Sequence, residues 1–161
     1  DATAGLGRDS VILLGAGYSV TMIEENAVVA ALLDDALTRL RAEFSCAAFA
    51  ANLSLVAGRA EQYLPELAAT GHADVIYLDP MFAVSGKSAL VKKEMQLFQH
   101  LLGHGDDGSG LLDTALSLAT YRVVVKRAIK APPLASREPT LAVSGKAVRF
   151  DVYALRSFKR R

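Results

Sequence analysis

Asp1-Ala2-Thr3-Ala4-Gly5-Leu6-Gly7-Arg8-Asp9 opens the chain, and its reading decides the fold. Gly5 and Gly7 make a strand-to-helix turn in which no side chain obstructs a ligand's approach to the backbone. A helix starting near Arg8 then aims its unpaired N–H groups at whatever the turn holds. As a dinucleotide fingerprint the turn is incomplete, because Ser10 stands where a third glycine belongs. An ordinary tight turn would look much the same. In a doubly wound sheet this turn follows the central strand, so the sequence reads as a fragment of a longer protein, with its first strand and N-terminal segment missing.

Outward from the turn, β-rich apolar runs alternate with helical patterns, which predicts βαβ units and a parallel sheet. Arg8 to Ala16 reads as a helix closed by Gly17, and Ser19 to Glu24 as a strand. Asn26 is placed to cap the next helix, whose apolar positions Val28, Val29, Ala31, Leu32, Leu33 and Leu37 form a broad stripe. Strands follow at Leu53–Ala57, Asp74–Leu78 and Tyr121–Lys126, with helices at Ala60–Ala69, Ser88–Leu102 and Leu111–Ala119. Past the Ala131-Pro132-Pro133 break, Leu141–Val143 and Val148–Tyr153 read as a closing antiparallel pair. The whole of residues 1–161 is one α/β domain.

Composition agrees. The chain has 161 residues, 52% hydrophobic and 22% charged, enough to bury a core and too apolar for disorder. No apolar run reaches the ~20 residues of a membrane span. Cys46 is the only cysteine, so no disulfide framework exists and a reducing, cytoplasmic setting is expected. A net charge of +1 hides an asymmetry: residues 1–120 carry 7 Lys+Arg against 15 Asp+Glu, and residues 121–161 carry 11 against 2.

The cofactor is narrowed by its neighbours. Glu24-Glu25 ends the second strand 19 residues after Gly5, close to the ~20-residue spacing at which an acid reaches a ribose hydroxyl. That much suits a nicotinamide dinucleotide and S-adenosylmethionine equally. Asp1 and Asp9 then favour S-adenosylmethionine, since both would repel a pyrophosphate and Asp1 could hold an ammonium. Around Ala57-Gly58-Arg59-Ala60 small residues leave room for an adenine ring.

The reacting end is Asp79-Pro80-Met81-Phe82, which closes the run Val75-Ile76-Tyr77-Leu78. It resembles the Asp/Asn-Pro-Pro-Tyr/Phe motif of amino-methyltransferases, with Met81 departing at the third position. An aromatic amine is a poor nucleophile because its lone pair is delocalised into the ring. Hydrogen bonds to the Asp79 carboxylate and the Pro80 carbonyl favour a more pyramidal nitrogen, and proline has no N–H to compete. Phe82 would stack on the base, a contact worth ~1–3 kcal/mol in nucleic-acid sites.

Taken in order, DATAGLGRD, VAALLDDAL, YLDPMF, KSALVKKEM, VVVKR, APPLA and RFDVY are similar to the bacterial ribosomal RNA small subunit methyltransferase J family, from residue 1 to about 153. The resemblance implies a Rossmann-like class I S-adenosylmethionine-dependent methyltransferase fold. It implies methyl transfer to the exocyclic amine of one guanine in small-subunit (16S) ribosomal RNA. It also implies cofactor contacts from Arg8-Asp9, Glu24-Glu25, Arg59-Ala60 and Asp79, beside those expected of Asp1, Gly5 and Gly7.

Catalysis is thus expected of Asp79, Pro80 and Phe82, and RNA phosphates are expected at Lys87, Lys92, Lys93, Lys126 and Arg127. His100 and His104 share a helical spacing but lack further ligands, so no metal is expected. The alternatives left open are a non-catalytic nucleotide-binding module and an NAD-dependent oxidoreductase.

Overall fold

The computed structural model describes residues 1–43, 47–71, 73–80 and 108–157. Helix α1 (Arg8–Gly15) begins at Gly7, whose left-handed backbone (φ 70°) turns the chain into the helix. Strand β1 (Val20–Glu24) leads to α2 (Ala27–Ala42), where the Asn26 side chain accepts the backbone N–H groups of Val28 and Val29 at 3.0 and 3.2 Å, as expected of that cap. A short helix α3 (Ala47–Ala50), β2 (Leu53–Ala57), α4 (Ala60–Ala69) and β3 (Val75–Leu78) follow. After the undescribed 81–107 come α5 (Ser109–Leu118), β4 (Arg122–Ala128), a 3-10 turn (Leu134–Ser136), β5 (Leu141–Ser144) and β6 (Val148–Ala154).

Differences from expectation have local causes. Helix α5 starts two residues early because Gly108 (φ 75°) supplies its left-handed N-cap. Strand β4 runs past Lys126 because Arg127 and Ala128 pair with Arg149 and Val148. The helix expected over Ser88–Leu102 lies outside the described residues.

Strands β1 and β2 pair in parallel from Val20↔Leu53 to Glu24↔Ala57. Strands β3, β4, β6 and β5 form a second group in that order, with β3–β4 parallel and β6 antiparallel to both its neighbours. Residues 1–4 join the two groups. Ala4 N–H donates to Ile23 O (3.0 Å), Ile23 N–H to Asp1 O (2.8 Å), and Ala2 N–H to Tyr77 O (2.9 Å). Asp1–Ala4, which are not themselves a strand, thus lie between the two groups, where the central strand was expected. Strand order reverses across this seam, the switch point at which doubly wound sheets bind ligands.

Alternation along the strands sorts the core into two layers. Ile23, Ile76, Leu78, Val123 and Val125 pack with Leu64 of α4 and Leu112 and Ala115 of α5. Val20, Met22 and Leu53 pack on the other side with Leu14 of α1 and Leu33 and Leu37 of α2. Helices thus cover both faces. Of the apolar stripe on α2, Val29, Leu33 and Leu37 are buried, while Val28 and Leu32 are exposed.

Candidate active site

The rim is built from the carboxyl ends of the seam, β1, β2, β3 and β4. Gly5 sits at φ 52°, and among the described residues a β-carbon built on it would meet nothing within 4 Å. Gly7 differs. A β-carbon there would lie 3.0 Å from Leu33 Cδ2 and 3.3 Å from Met22 Sδ, so this glycine lets α1 approach β1 and α2. One glycine serves approach of a ligand and the other serves packing.

Glu24 is buried at the end of β1. Its Oε2 accepts Gly5 N–H and its Oε1 accepts Asn26 N–H, each at 2.8 Å. Burial raises its pKa above the ordinary carboxylate value, against the two backbone bonds that lower it. The same residue's carbonyl accepts Gly58 N–H at 2.8 Å, which draws the end of β2 to the site. Beside it, exposed Arg59 lies 3.9 Å from Glu25 and 3.7 Å from Glu61, while Ala60 is buried at the start of α4.

On the other side of the seam four groups converge. Leu78 pairs with Val125, so the next residues in register are Asp79 and Lys126. Lys126 Nζ donates to Asp79 Oδ2 at 2.9 Å and to Asp9 Oδ2 at 2.7 Å. Tyr77, two residues before Asp79 and so on the same face, donates its hydroxyl to Asp9 Oδ2 at 2.6 Å. Asp79 N–H donates to Thr3 Oγ1 at 2.6 Å, which ties the reacting strand end to the seam.

The electrostatics follow from these partners. At Asp9, burial alone would raise the pKa, but the bonds from Lys126 and Tyr77 outweigh it and hold the carboxyl below the usual range. At Asp79 burial prevails over Lys126, and the pKa is raised. Burial would lower Lys126, yet its two carboxylate partners hold it above the ordinary ammonium value. Burial and the bond to Asp9 push the Tyr77 phenol far up, so it stays a donor.

Several expectations change here. Asp1, expected to hold an ammonium, has its carboxylate engaged inside the protein: Oδ2 accepts the Ser10 hydroxyl and Oδ1 accepts Thr3 N–H. Ser10 is fully buried, so the residue in place of a third glycine is one half of an internal bond. Lys126, expected on RNA phosphates, turns inward to Asp9 and Asp79. Arg127 is only 7% exposed and donates to Pro132 O from Nε and Nη2 at 3.1 and 2.7 Å, so it too leaves the expected RNA surface. The cause is the strand's alternation, which puts Arg127 on the same buried face as Val123 and Val125. Gly5, Gly7, exposed Arg8, Asp9, Glu24 and Asp79 do share the rim, with Pro80 half-buried beside them. Phe82, Lys87, Lys92 and Lys93 lie outside the described residues.

Sequence reading missed Thr3 and Tyr77. The signal for Tyr77 was its two-residue spacing from Asp79. For Thr3 there was none, since its partner is 76 residues away.

The chain is similar to known proteins along nearly its whole length. Residues 1–155 match the family model described as "Putative SAM-dependent methyltransferase". Proteins named ribosomal RNA small subunit methyltransferase J are 46% identical over 157 residues in Marinobacter nauticus and 51% over 154 in Alteromonas mediterranea. Those alignments cover 98% and 95% of this chain and 56% and 58% of the relatives, so the chain spans little more than half their length. The crystal structure of a SAM-dependent methyltransferase from Neisseria gonorrhoeae superposes with a TM-score of 0.76 at 40% identity, covering 95% of this chain and 63% of that one. With its Rossmann-like sheet, its glycine turn at the switch point and this match, the chain belongs to the SAM-dependent methyltransferase family.

Proposed function

We propose that this chain methylates the exocyclic amine of a guanine in small-subunit (16S) ribosomal RNA, with S-adenosylmethionine as donor, in the cytoplasm. The observation that carries the reading is Asp79, a carboxylate at the switch point whose backbone is held by Thr3 and whose Oδ2 is held by Lys126. The relatives named for this reaction support the choice of substrate.

The rim fits the cofactor. The space beside Gly5 is open to a ligand, and Asp9, Glu24 and Asp79 suit a cationic one far better than a pyrophosphate. Gly5 and the backbone around Arg59-Ala60 would hold the adenosine end, and Glu24 would accept from the ribose hydroxyls. S-adenosylmethionine would supply an electrophilic methyl on a sulfonium, which an amine lone pair takes as the C–S electron pair returns to sulfur, the methylated amine then shedding one proton to solvent. Asp79 and the Pro80 carbonyl would accept the two N–H bonds of the amine, so that its lone pair is less delocalised and points out of the ring plane. Phe82 would stack on the base. Since displacement at a methyl needs chiefly alignment and a dry pocket, positioning is the main contribution of these groups.

Phosphates of the RNA would meet exposed Lys130, Lys146 and Arg156, together with Lys87, Lys92 and Lys93. The test is transfer of labelled methyl from S-adenosylmethionine into undermethylated small subunits, with the modified nucleotide mapped by mass spectrometry. Asp79→Ala is expected to lower turnover by about 10²–10³-fold, as for removal of one transition-state contact, while still binding S-adenosylhomocysteine in calorimetry. Wild-type turnover in that variant would remove Asp79 from the chemistry, and binding of NAD in place of S-adenosylhomocysteine would end the reading.

A further inference from the structure

The cluster of Asp9, Tyr77, Asp79 and Lys126 holds more organisation than a carboxylate acceptor alone needs. Its members come from α1, β3, the residue following β3, and β4, and their bonds run 2.6 to 2.9 Å. We propose that Lys126 is a positioning residue of the acceptor site: its ammonium, clamped between Asp9 and Asp79, fixes one oxygen of Asp79 and presents the other, as an ionised acceptor, to the amine. This rests on the function proposed above.

Geometry supports it at each joint. The parallel register of β3 and β4 sets Lys126 beside Asp79, so no long loop has to be ordered to bring them together. Asp9 keeps the ammonium from swinging out, and the Tyr77 hydroxyl keeps Asp9 in place. Thr3 holds the Asp79 backbone, leaving χ1 and χ2 as the carboxylate's freedom, and the Lys126 bond to Oδ2 removes that. The Asp79 side chain is 40% exposed, against 24% for Lys126 and 29% for Asp9, so of the three it is the one open to a substrate.

A charge argument gives the clamp a second effect. Among the described residues, the titratable groups facing Asp79 are Lys126, Asp9 and Tyr77. Burial and Asp9 both push the Asp79 carboxyl towards its neutral form, and Lys126 alone opposes them. A neutral carboxyl would offer a weaker acceptor and a competing O–H. Removing Lys126 should therefore make the acceptor protonate at a higher pH.

The test uses the full chain with Lys126→Met and Lys126→Arg. The Asp79 carboxyl is followed by carbon-detected NMR in the ligand-free protein and identified by its loss in Asp79→Asn. Its titration midpoint should rise by about 1 unit or more in Lys126→Met and return towards wild type in Lys126→Arg. The acid limb of the kcat profile should move up with it, about tenfold in rate per unit at a fixed acidic pH. An Asp79 midpoint that is the same in Lys126→Met as in wild type overturns the proposal. Should Lys126→Met fail to fold, the wild-type protein decides: the Lys126 Nζ resonance should follow the Asp79 titration, and an Nζ signal blind to it overturns the proposal equally. Absence of methyl transfer by the wild type would sink the proposed function and leave these titrations to decide the role of Lys126.

Discussion

Glu24 ends β1 with each of its two oxygens on a backbone N–H, and burial raises its pKa above the unfolded value. Its folded-state contribution is therefore fully present below the unfolded pKa of about 4.3 and lost as pH rises through the higher folded one. Wild-type urea midpoints should thus fall relative to Glu24→Gln as pH rises above about 4, whatever the offset between the two. Affinity for S-adenosylhomocysteine should drop in Glu24→Gln by roughly tenfold or more, the loss of a charge-assisted hydrogen bond worth about 1.5–3 kcal/mol. A difference curve flat in pH would show that Glu24 is not buried as a charge. The two glycines separate in the same way. Gly7→Ala combines a positive φ with contact on Leu33 and Met22 and should cost about 2–4 kcal/mol in denaturation. Gly5→Ala bears only the backbone strain, about 1–2 kcal/mol, and should lose proportionally more cofactor affinity. Equal stability losses in the two variants would refute the division of roles. Glu24 and Asp79 were legible in the sequence because each closes an apolar run. Ser10 and Thr3 were not, because what they do depends on Asp1 and Asp79, 9 and 76 residues away.

Arg149 and Asp151 stand two residues apart on β6, on one face, and form a two-bond pair at 2.7 and 3.0 Å with side chains 13% and 1% exposed. Arg149 also donates to the carbonyls of Ala128, Ile129 and Ala131, so it ties β6 to the chain leaving β4. Asp151→Ala should cost about 3–5 kcal/mol by leaving a largely buried cation without its partner. Replacing both residues by apolar ones often recovers such a loss, but here it would take the Arg149 donor from the Ile129 and Ala131 carbonyls, Ala128 O keeping the Ala131 N–H, so the Arg149→Met, Asp151→Leu double variant should recover only part. Full recovery in calorimetric unfolding would show that those carbonyls are satisfied by other groups. At this scale most elements were legible: β2 and α4 fall where the pattern puts them, since period and end signals coincide there. Helix α3 was not, for four residues of Ala-Ala-Phe-Ala carry no period. Nor was the turn after Pro133, where Ala135 and Ser136 take φ 53° and 52° without a glycine to announce it.

Across the whole molecule, the basic excess of residues 121–161 is partly internal. Lys126, Arg127 and Arg149 are turned to carboxylates or carbonyls. A count of charges could not tell these from surface ones, because the partners that hold them, Asp9 and Asp79 for Lys126 and Pro132 O for Arg127, are brought up by the fold. The alternation of βαβ units was visible in the sequence, whereas the insertion of β6 between β4 and β5 was not, since either could have been the edge. Among the described residues, no helix is long and apolar enough to cross a membrane. The seam has a kinetic meaning. Among the described residues the two sheet halves are bonded through Asp1–Ala4 while Ile23 shares one core with Ile76 and Leu78, so the backbone bonds of that strip should open locally before those inside a sheet. In native-state hydrogen exchange the Ile23 amide, bonded to Asp1, and the Ala2 amide, bonded to Tyr77, should exchange together and sooner than Val123 or Val125 within β4. Identical protection across all four would mean one indivisible unit. A ligand that touched both Glu24 and Asp79 would span that strip, and its arrival should slow exchange along the whole seam, as a rivet does between two plates.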